Sequence, residues 1–163
     1  MSKKPIRVRP PILIDTSPLL LLLVGSYDEN LIDSFKRMSG YDRTDFDLLI
    51  QFLARRKLNV TPGVLAEVSN LAMQLKRGGF ERLIEYNISE LKSMGEHYVP
   101  KDTILEAKEL VKVGITDTSL LIAAKEHNVG ILTDDHPLWS RCQTEGIPAI
   151  HMAELQGRGD LFL

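Results

Sequence analysis

Ile12-Leu13-Ile14-Asp15-Thr16-Ser17-Pro18 is the stretch on which the reading of the whole chain turns. Its first three residues form a short apolar run suited to a fully buried strand. Asp15, Thr16 and Ser17 followed by a proline are a helix start, because a side-chain oxygen there accepts an orphaned amide and proline tolerates the first turn. A strand passing directly into a helix predicts a parallel α/β unit. It also puts an acid at the carboxyl end of a strand, where open α/β sheets bind their ligands.

Working outward, Leu19 to Val24 is apolar throughout and is expected to be core on one face, with an excess that would feed a homodimer. Ser26 to Arg43 is polar, charged and broken by Gly40, so residues 26–43 read as an insertion with one weak helix around Leu31 to Met38. Phe46, Leu49, Ile50, Leu53 and Ala54 recur at helical spacing before a second strand at Leu58-Asn59-Val60-Thr61, ended by Pro62 and Gly63. Val64, Val68, Leu71 and Leu75 mark a helix to about Lys76, and Gly78-Gly79 separates it from another, Phe80 to Met94. A third strand is expected at Tyr98-Val99 and a helix from Thr103 to Val111. A further helix runs from Thr116-Asp117 to His127, with Asn128 as its left-handed cap. Val129 to Thr133 is then a strand, Pro137 to Thr144 a helix closed by Gly146, and Ile147 to His151 the last strand. This alternation predicts a three-layer α/β/α sandwich around a mostly parallel sheet. It gives one domain over residues 12–155, a basic N-terminal arm over 1–11 and a tail over 156–163.

The length of 163 residues suits one domain, and 44% hydrophobic residues can fill its core. With 20 basic and 22 acidic residues the net charge is −2, so any nucleic-acid binding must use local patches. A single cysteine, Cys142, cannot form an intramolecular disulfide and fits a reducing compartment. Lys3, Lys4, Arg7 and Arg9 ahead of apolar residues imitate a secretory signal, but Asp15 and Pro18 divide the apolar core that a signal needs. Neither apolar run approaches the roughly 18 residues of a membrane span. The expectation is a cytoplasmic protein with no membrane partner.

Four acids stand out. Asp15 and the pair Asp134-Asp135 each follow an apolar strand. Glu67, with Val64 at i−3 and Leu71 at i+4, projects at or beside the apolar stripe of its helix. Asp117 opens the apolar Leu120 to Ala124 helix, where the dipole alone favours an acid by roughly 0.3 to 1 kcal/mol. In order along the chain these are Ile14-Asp15-Thr16, Leu65-Ala66-Glu67-Val68, Thr116-Asp117 and Thr133-Asp134-Asp135. That ordered set resembles the PIN-domain family, whose pattern is a hydrophobic strand ending in Asp, a Glu in a middle helix and an Asp starting a helix. The pattern closes with a strand ending in Thr or Ser, any residue, then Asp. The resemblance covers Ile12 to about Ala153 and selects Asp135, two residues after Thr133, over Asp134. The separation of Asp15 from Glu67 is longer than in the small toxin members, owing to residues 26–43.

What the resemblance implies is a divalent-metal-dependent endoribonuclease hydrolysing phosphodiester bonds in single-stranded or structured RNA. The family members it is most similar to are toxins of toxin-antitoxin pairs, so an antitoxin protein is an expected partner. Hydrolysis by water needs a deprotonated nucleophile and compensation of a charge-rich transition state, and Mg²⁺ or Mn²⁺ on oxygen ligands supplies both. His97, His127, His136 and His151 show no zinc spacing. Asp15 and Asp117 are assigned to the metal, with Glu67 and Asp135 completing the acidic ring or orienting water. Thr133, Thr116 and Ser17 are placed as supports, although each serves equally as a cap or strand-end residue. For gripping the RNA backbone the candidates are Arg55, Arg56, Lys57, Lys76, Arg77, Arg141 and the N-terminal arm, each of which is more often a solvated surface charge. Trp139 is a possible base stacker and more often core.

Two other functions compete. A PIN-like module without turnover would serve as an RNA-binding or protein-docking scaffold. A phosphoryl-accepting receiver domain shares the alternating elements and clustered aspartates, but carries its acidic pair after the first strand, whereas here the pair is late.

Overall fold

In the computed structural model, which describes residues 8–157, β1 (Ile12–Ile14) is buried at all three positions and occupies the middle of a five-stranded sheet. Its neighbours are β2 (Leu58–Val60) and β4 (Gly130–Thr133), with β3 (Gly95–Glu96) and β5 (Ala149–His151) at the edges, in the order β3-β2-β1-β4-β5. Every pairing is parallel, with Ile12 opposite Leu58, Ile14 opposite Leu132 and Thr133 opposite His151. A parallel sheet needs cover on both faces, which is why the central strand β1 and Ile131-Leu132 of β4 are apolar and buried without alternation. The chain builds outward from β1 through β2 to β3 and then crosses back to β4. The carboxyl ends of β1 and β4 therefore form the switch point at which such sheets open a crevice.

The helices are α1 (Thr16–Tyr27), α2 (Asn30–Ser34), α3 (Arg43–Leu53), α4 (Pro62–Ala72) and α5 (Gly79–Ser93), followed by α6 (Lys101–Glu106), α7 (Leu110–His127), α8 (His136–Glu145) and α9 (Met152–Leu155). Right-handed crossovers put α1 to α5 on one face and α6 to α8 on the other, giving the three-layer sandwich. Lys3, Lys4 and Arg7 of the basic arm, and the tail from residue 158, lie outside the described residues. Among the described residues no helix is long and apolar enough to cross a membrane.

Two expected elements need correcting, and two segments lie in surroundings the sequence did not reveal. All six side chains from Leu19 to Val24 are buried, because α1 packs against α3, α4 and α5 at once. Gly25 allows this, since a Cβ there would overlap the Phe46 ring of α3. Residues 26–43 carry the expected short helix and are tied to the core. Ser26 and Tyr27 finish α1, and Ile32, Phe35 and Met38, three apart in α2 and a following 3₁₀ turn (Lys36–Met38), are buried in the main core. Asp42 then starts α3 with a reciprocal capping box to Asp45.

The third strand lies at Gly95–Glu96 and not at Tyr98-Val99; Tyr98 is 70% exposed. Its pairing is set by the backbone, which the His97 amide extends by donating to the Val60 carbonyl at 2.9 Å. The helix expected over Thr103 to Val111 stops at Glu106, and α7 starts at Leu110. Within α7, Gly114 breaks the helix at φ 85° and ψ 176°, so the segment carrying Asp117 is a fresh helical start.

Candidate functional site

The site grows from the first turn of α1. Asp15 caps that helix, its Oδ1 accepting from the Thr16 amide at 2.7 Å, and its Oδ2 accepts from the Thr133 hydroxyl at 2.6 Å. Thr133, the last residue of β4, also accepts the Asp135 amide at 2.9 Å. Asp135 in turn caps α8, its Oδ1 taking the Leu138 amide at 2.8 Å. Opposite them, Glu67 of α4 is held by two threonines. Its Oε2 accepts from the Thr16 hydroxyl at 2.7 Å and its Oε1 from the Thr116 hydroxyl at 2.6 Å. Gly63 permits the close approach of α4 to α7 that this requires, since a Cβ there would stand 3.3 Å from Thr116 Oγ1.

These segments enclose a cleft of about 570 Å³ at the carboxyl ends of β1 and β4, lined by Asp15, Glu67, Asp117, Asp134 and Asp135 among others and, among the described residues, by no lysine or arginine. The charges are felt. Burial is the main reason that the Asp15 carboxyl lies above the usual carboxylate range; its hydrogen bonds from Thr133 and Thr16 oppose the shift, and Asp135 and Glu67 add to it. Asp117 is pushed up to about 7, first by burial and then by the charges of Asp15, Asp135 and Glu67. All four expected carboxylates thus share one cleft. Among the described residues, however, no group of three or more His, Cys, Asp or Glu side chains is gathered tightly enough to hold a metal ion, so the cleft is an open acidic bowl and not a closed cage.

Asp134 has a separate partner, the Tyr41 hydroxyl, which donates to its Oδ2 at 2.7 Å. Burial and then Asp134 raise the Tyr41 pKa far above its ordinary value, so the phenol keeps its proton. Ser17 hydrogen-bonds Tyr41, so it supports the cleft through that residue. Thr16 and Tyr41 escaped the sequence reading. Thr16 had a signal in standing beside Asp15 at a helix start, whereas Tyr41 reaches Asp134 across 93 residues and had none.

The cations fall elsewhere than expected. Arg55, Arg56 and Lys57 precede β2 and so lie at the amino ends of the strands, at the opposite edge of the sheet from the cleft. Arg56 is structural: it donates to the carbonyls of Phe52 at 2.9 Å and Pro10 at 3.0 Å, and sits 4.4 Å over the Phe52 ring. Arg141 is neutralised by Glu109 at 3.0 Å and Glu145 at 2.8 Å, and the hydrogen bond from Arg141 holds the Glu109 carboxyl down at about 2. Lys76 and Arg77 remain exposed in the turn between α4 and α5. Trp139 lies half-buried against His136 and His151, with ring centroids 5.6 and 6.3 Å away, outside the cleft lining.

No family model matches this chain, and no curated protein does. Among solved structures, the crystal structure of PAE2754 from Pyrobaculum aerophilum is similar over 91% of this chain and 97% of its own, with 16% sequence identity and a TM-score of 0.55. A domain of a functionally unknown protein from Methanocaldococcus jannaschii aligns over 88% of this chain and 91% of its own, at 18% identity and a TM-score of 0.45. The first likeness shows a shared α/β fold.

Proposed function

We propose that the chain is a PIN-like nuclease, a divalent-metal-dependent endoribonuclease acting at the acidic cleft. The observation that supports it is the convergence of Asp15, Glu67, Asp117 and Asp135, from four separated segments, on one cleft whose lining contains no cation among the described residues. A donor set made only of carboxylate and hydroxyl oxygens suits Mg²⁺ or Mn²⁺. When bound, such an ion supplies the missing positive charge and lowers the pKa of a water toward neutrality. Asp15 and Asp117 would hold it, with Asp135 and Glu67 completing the ring. Thr133 fixes Asp15 beside Asp135, and Thr16 with Thr116 fixes both oxygens of Glu67, so these three carboxylates are set in place before substrate arrives. Asp117 is the adaptable member, since burial and the neighbouring acids raise its carboxyl to about 7 and a bound cation would favour its ionised form.

RNA as the substrate, an antitoxin protein as partner and a cytoplasmic setting are proposed on the sequence resemblance. The open arrangement of the carboxylates favours a second reading, a PIN-like RNA-binding or docking module without turnover. Purified protein incubated with labelled single-stranded RNA separates the two. Cleavage is expected with Mg²⁺ or Mn²⁺, none with chelator, and none from Asp15→Asn or Asp117→Asn. Cleavage persisting in EDTA overturns the metal mechanism, and binding without cleavage under any divalent ion leaves the docking module.

A further inference from the structure

We propose that a single-stranded RNA occupying the acidic cleft continues along α4 into a second groove, built from the α1–α2 corner, the Lys36–Met38 turn and the turn between α4 and α5. The proposal rests on the nuclease reading and adds where the strand is gripped. A cleft lined by five acids and, among the described residues, no cation repels a phosphate backbone beyond the scissile position, which points the grip outside it.

The groove encloses about 610 Å³ between Tyr27 and Phe35 on one side and Leu75, Lys76 and Arg82 on the other, with Lys36 at its rim. It follows directly from the cleft. Glu67 and Leu71 line the cleft from α4, and Gln74 and Leu75 line the groove from the turn that follows the helix. At the helical rise of 1.5 Å per residue, Glu67 stands about 7.5 Å from the end of α4 at Ala72, where the groove begins.

Its chemistry suits a polyanion with flat apolar parts. The side chains of Lys36 and Lys76 are exposed and make no ion pair or hydrogen bond among the described residues. Arg82 is held toward the groove by donating to the Tyr27 hydroxyl at 3.2 Å and the Arg77 carbonyl at 2.8 Å, and Arg37 is held beside it by Gln74 at 2.7 Å. Asp28, the acid in the lining, accepts both the backbone amide and the side-chain amide of Asn30, each at 3.0 Å. The partly exposed Tyr27 ring in the wall offers a stacking surface, and cations beside an aromatic ring are how single strands are bound without sequence preference. In a chain of net charge −2 this concentration is no background effect. An acidic protein segment would satisfy the cations but leaves the continuity with the cleft without a purpose.

The test is binding of a long labelled oligouridylate to the full chain in chelator, read by anisotropy across a salt series. Lys36→Ala/Lys76→Ala should weaken binding at least about fivefold and reduce the slope of log K against log salt by about 1.4, at roughly 0.7 per phosphate contact on a single strand. Lys36→Arg/Lys76→Arg should retain binding. Arg55→Asn/Lys57→Ala, which removes the same charge at the opposite edge, should change neither quantity. All variants should melt with wild type, since neither lysine has a partner to lose. Equal loss in the two double variants, an unchanged slope, no binding by wild type, or displacement by oligoglutamate as effective as by unlabelled oligouridylate overturns the proposal. Because binding is read in chelator, a chain that never cuts RNA still answers the question, so failure of the groove and failure of the nuclease reading are distinguishable.

Discussion

The Thr133 hydroxyl donates to Asp15 Oδ2 at 2.6 Å across 118 residues of chain, while its oxygen accepts the Asp135 amide at 2.9 Å. One buried hydroxyl therefore ties the carboxyl end of β1 to the start of α8. Thr133→Val keeps the shape and leaves the Asp15 oxygen without its donor and the Asp135 amide without its acceptor. A buried polar group left unsatisfied costs about 1–3 kcal/mol, so a clear fall in Tm is expected, with Thr133→Ser recovering most of it. A Val variant as stable as wild type would show that water replaces the hydroxyl.

Asp117 makes stability depend on pH. Its folded-state pKa of about 7 lies above the ordinary 3.8, so the folded chain binds this proton more tightly than the unfolded chain does. The stabilisation is complete below the ordinary value and is lost as pH rises through about 7. Chelated wild type should lose Tm across that window, and Asp117→Asn should flatten the loss and melt at or above wild type beyond neutrality. Mn²⁺ at 100 times its Kd should stabilise wild type by about 2.7 kcal/mol and the variant by little. A destabilised Asp117→Asn with an intact Mn²⁺ response would make this residue purely structural.

The adjacent acids are separable. Asp134 is engaged by Tyr41, whereas Asp135 caps α8 through one oxygen. Asparagine caps about as well as aspartate, so Asp135→Asn should fold normally and lose far more RNA cleavage than Asp134→Asn. The reverse ranking in initial rates would make Asp134 the functional acid.

Gly114 sits at φ 85° and ψ 176°, where a side chain is strained although nothing lies within 4 Å of an added Cβ. Gly114→Ala should cost about 1–3 kcal/mol from the backbone alone. An unchanged Tm would mean that the break relaxes into continuous helix.

What could be read in advance was what neighbouring residues decide. Asn128 and Gly146 do adopt left-handed cap conformations, and the strand-to-helix turn at Asp15 is present. The parallel order followed from alternation. The burial within residues 26–43 was not legible because Ile32, Phe35 and Met38 are diluted by charge, and it comes from their joining the common core beside α1. Tyr98-Val99 has the stronger strand propensity, yet a two-residue edge strand is chosen by the backbone of β2. The threonine grip on Glu67 spans 51 and 49 residues, beyond the reach of any local pattern.

Helix α1 presents no polar side anywhere between Leu19 and Val24. During synthesis it leaves the ribosome ahead of the helices α3, α4 and α5 and the strand β4 that later cover it, and the last of these, β4, is complete only at Thr133. For that interval the nascent chain carries a rod of leucine about 9 Å long that water rejects all round. A message broken before that codon yields a polypeptide with its stickiest segment permanently bare, prone to aggregation and suited to capture by chaperones.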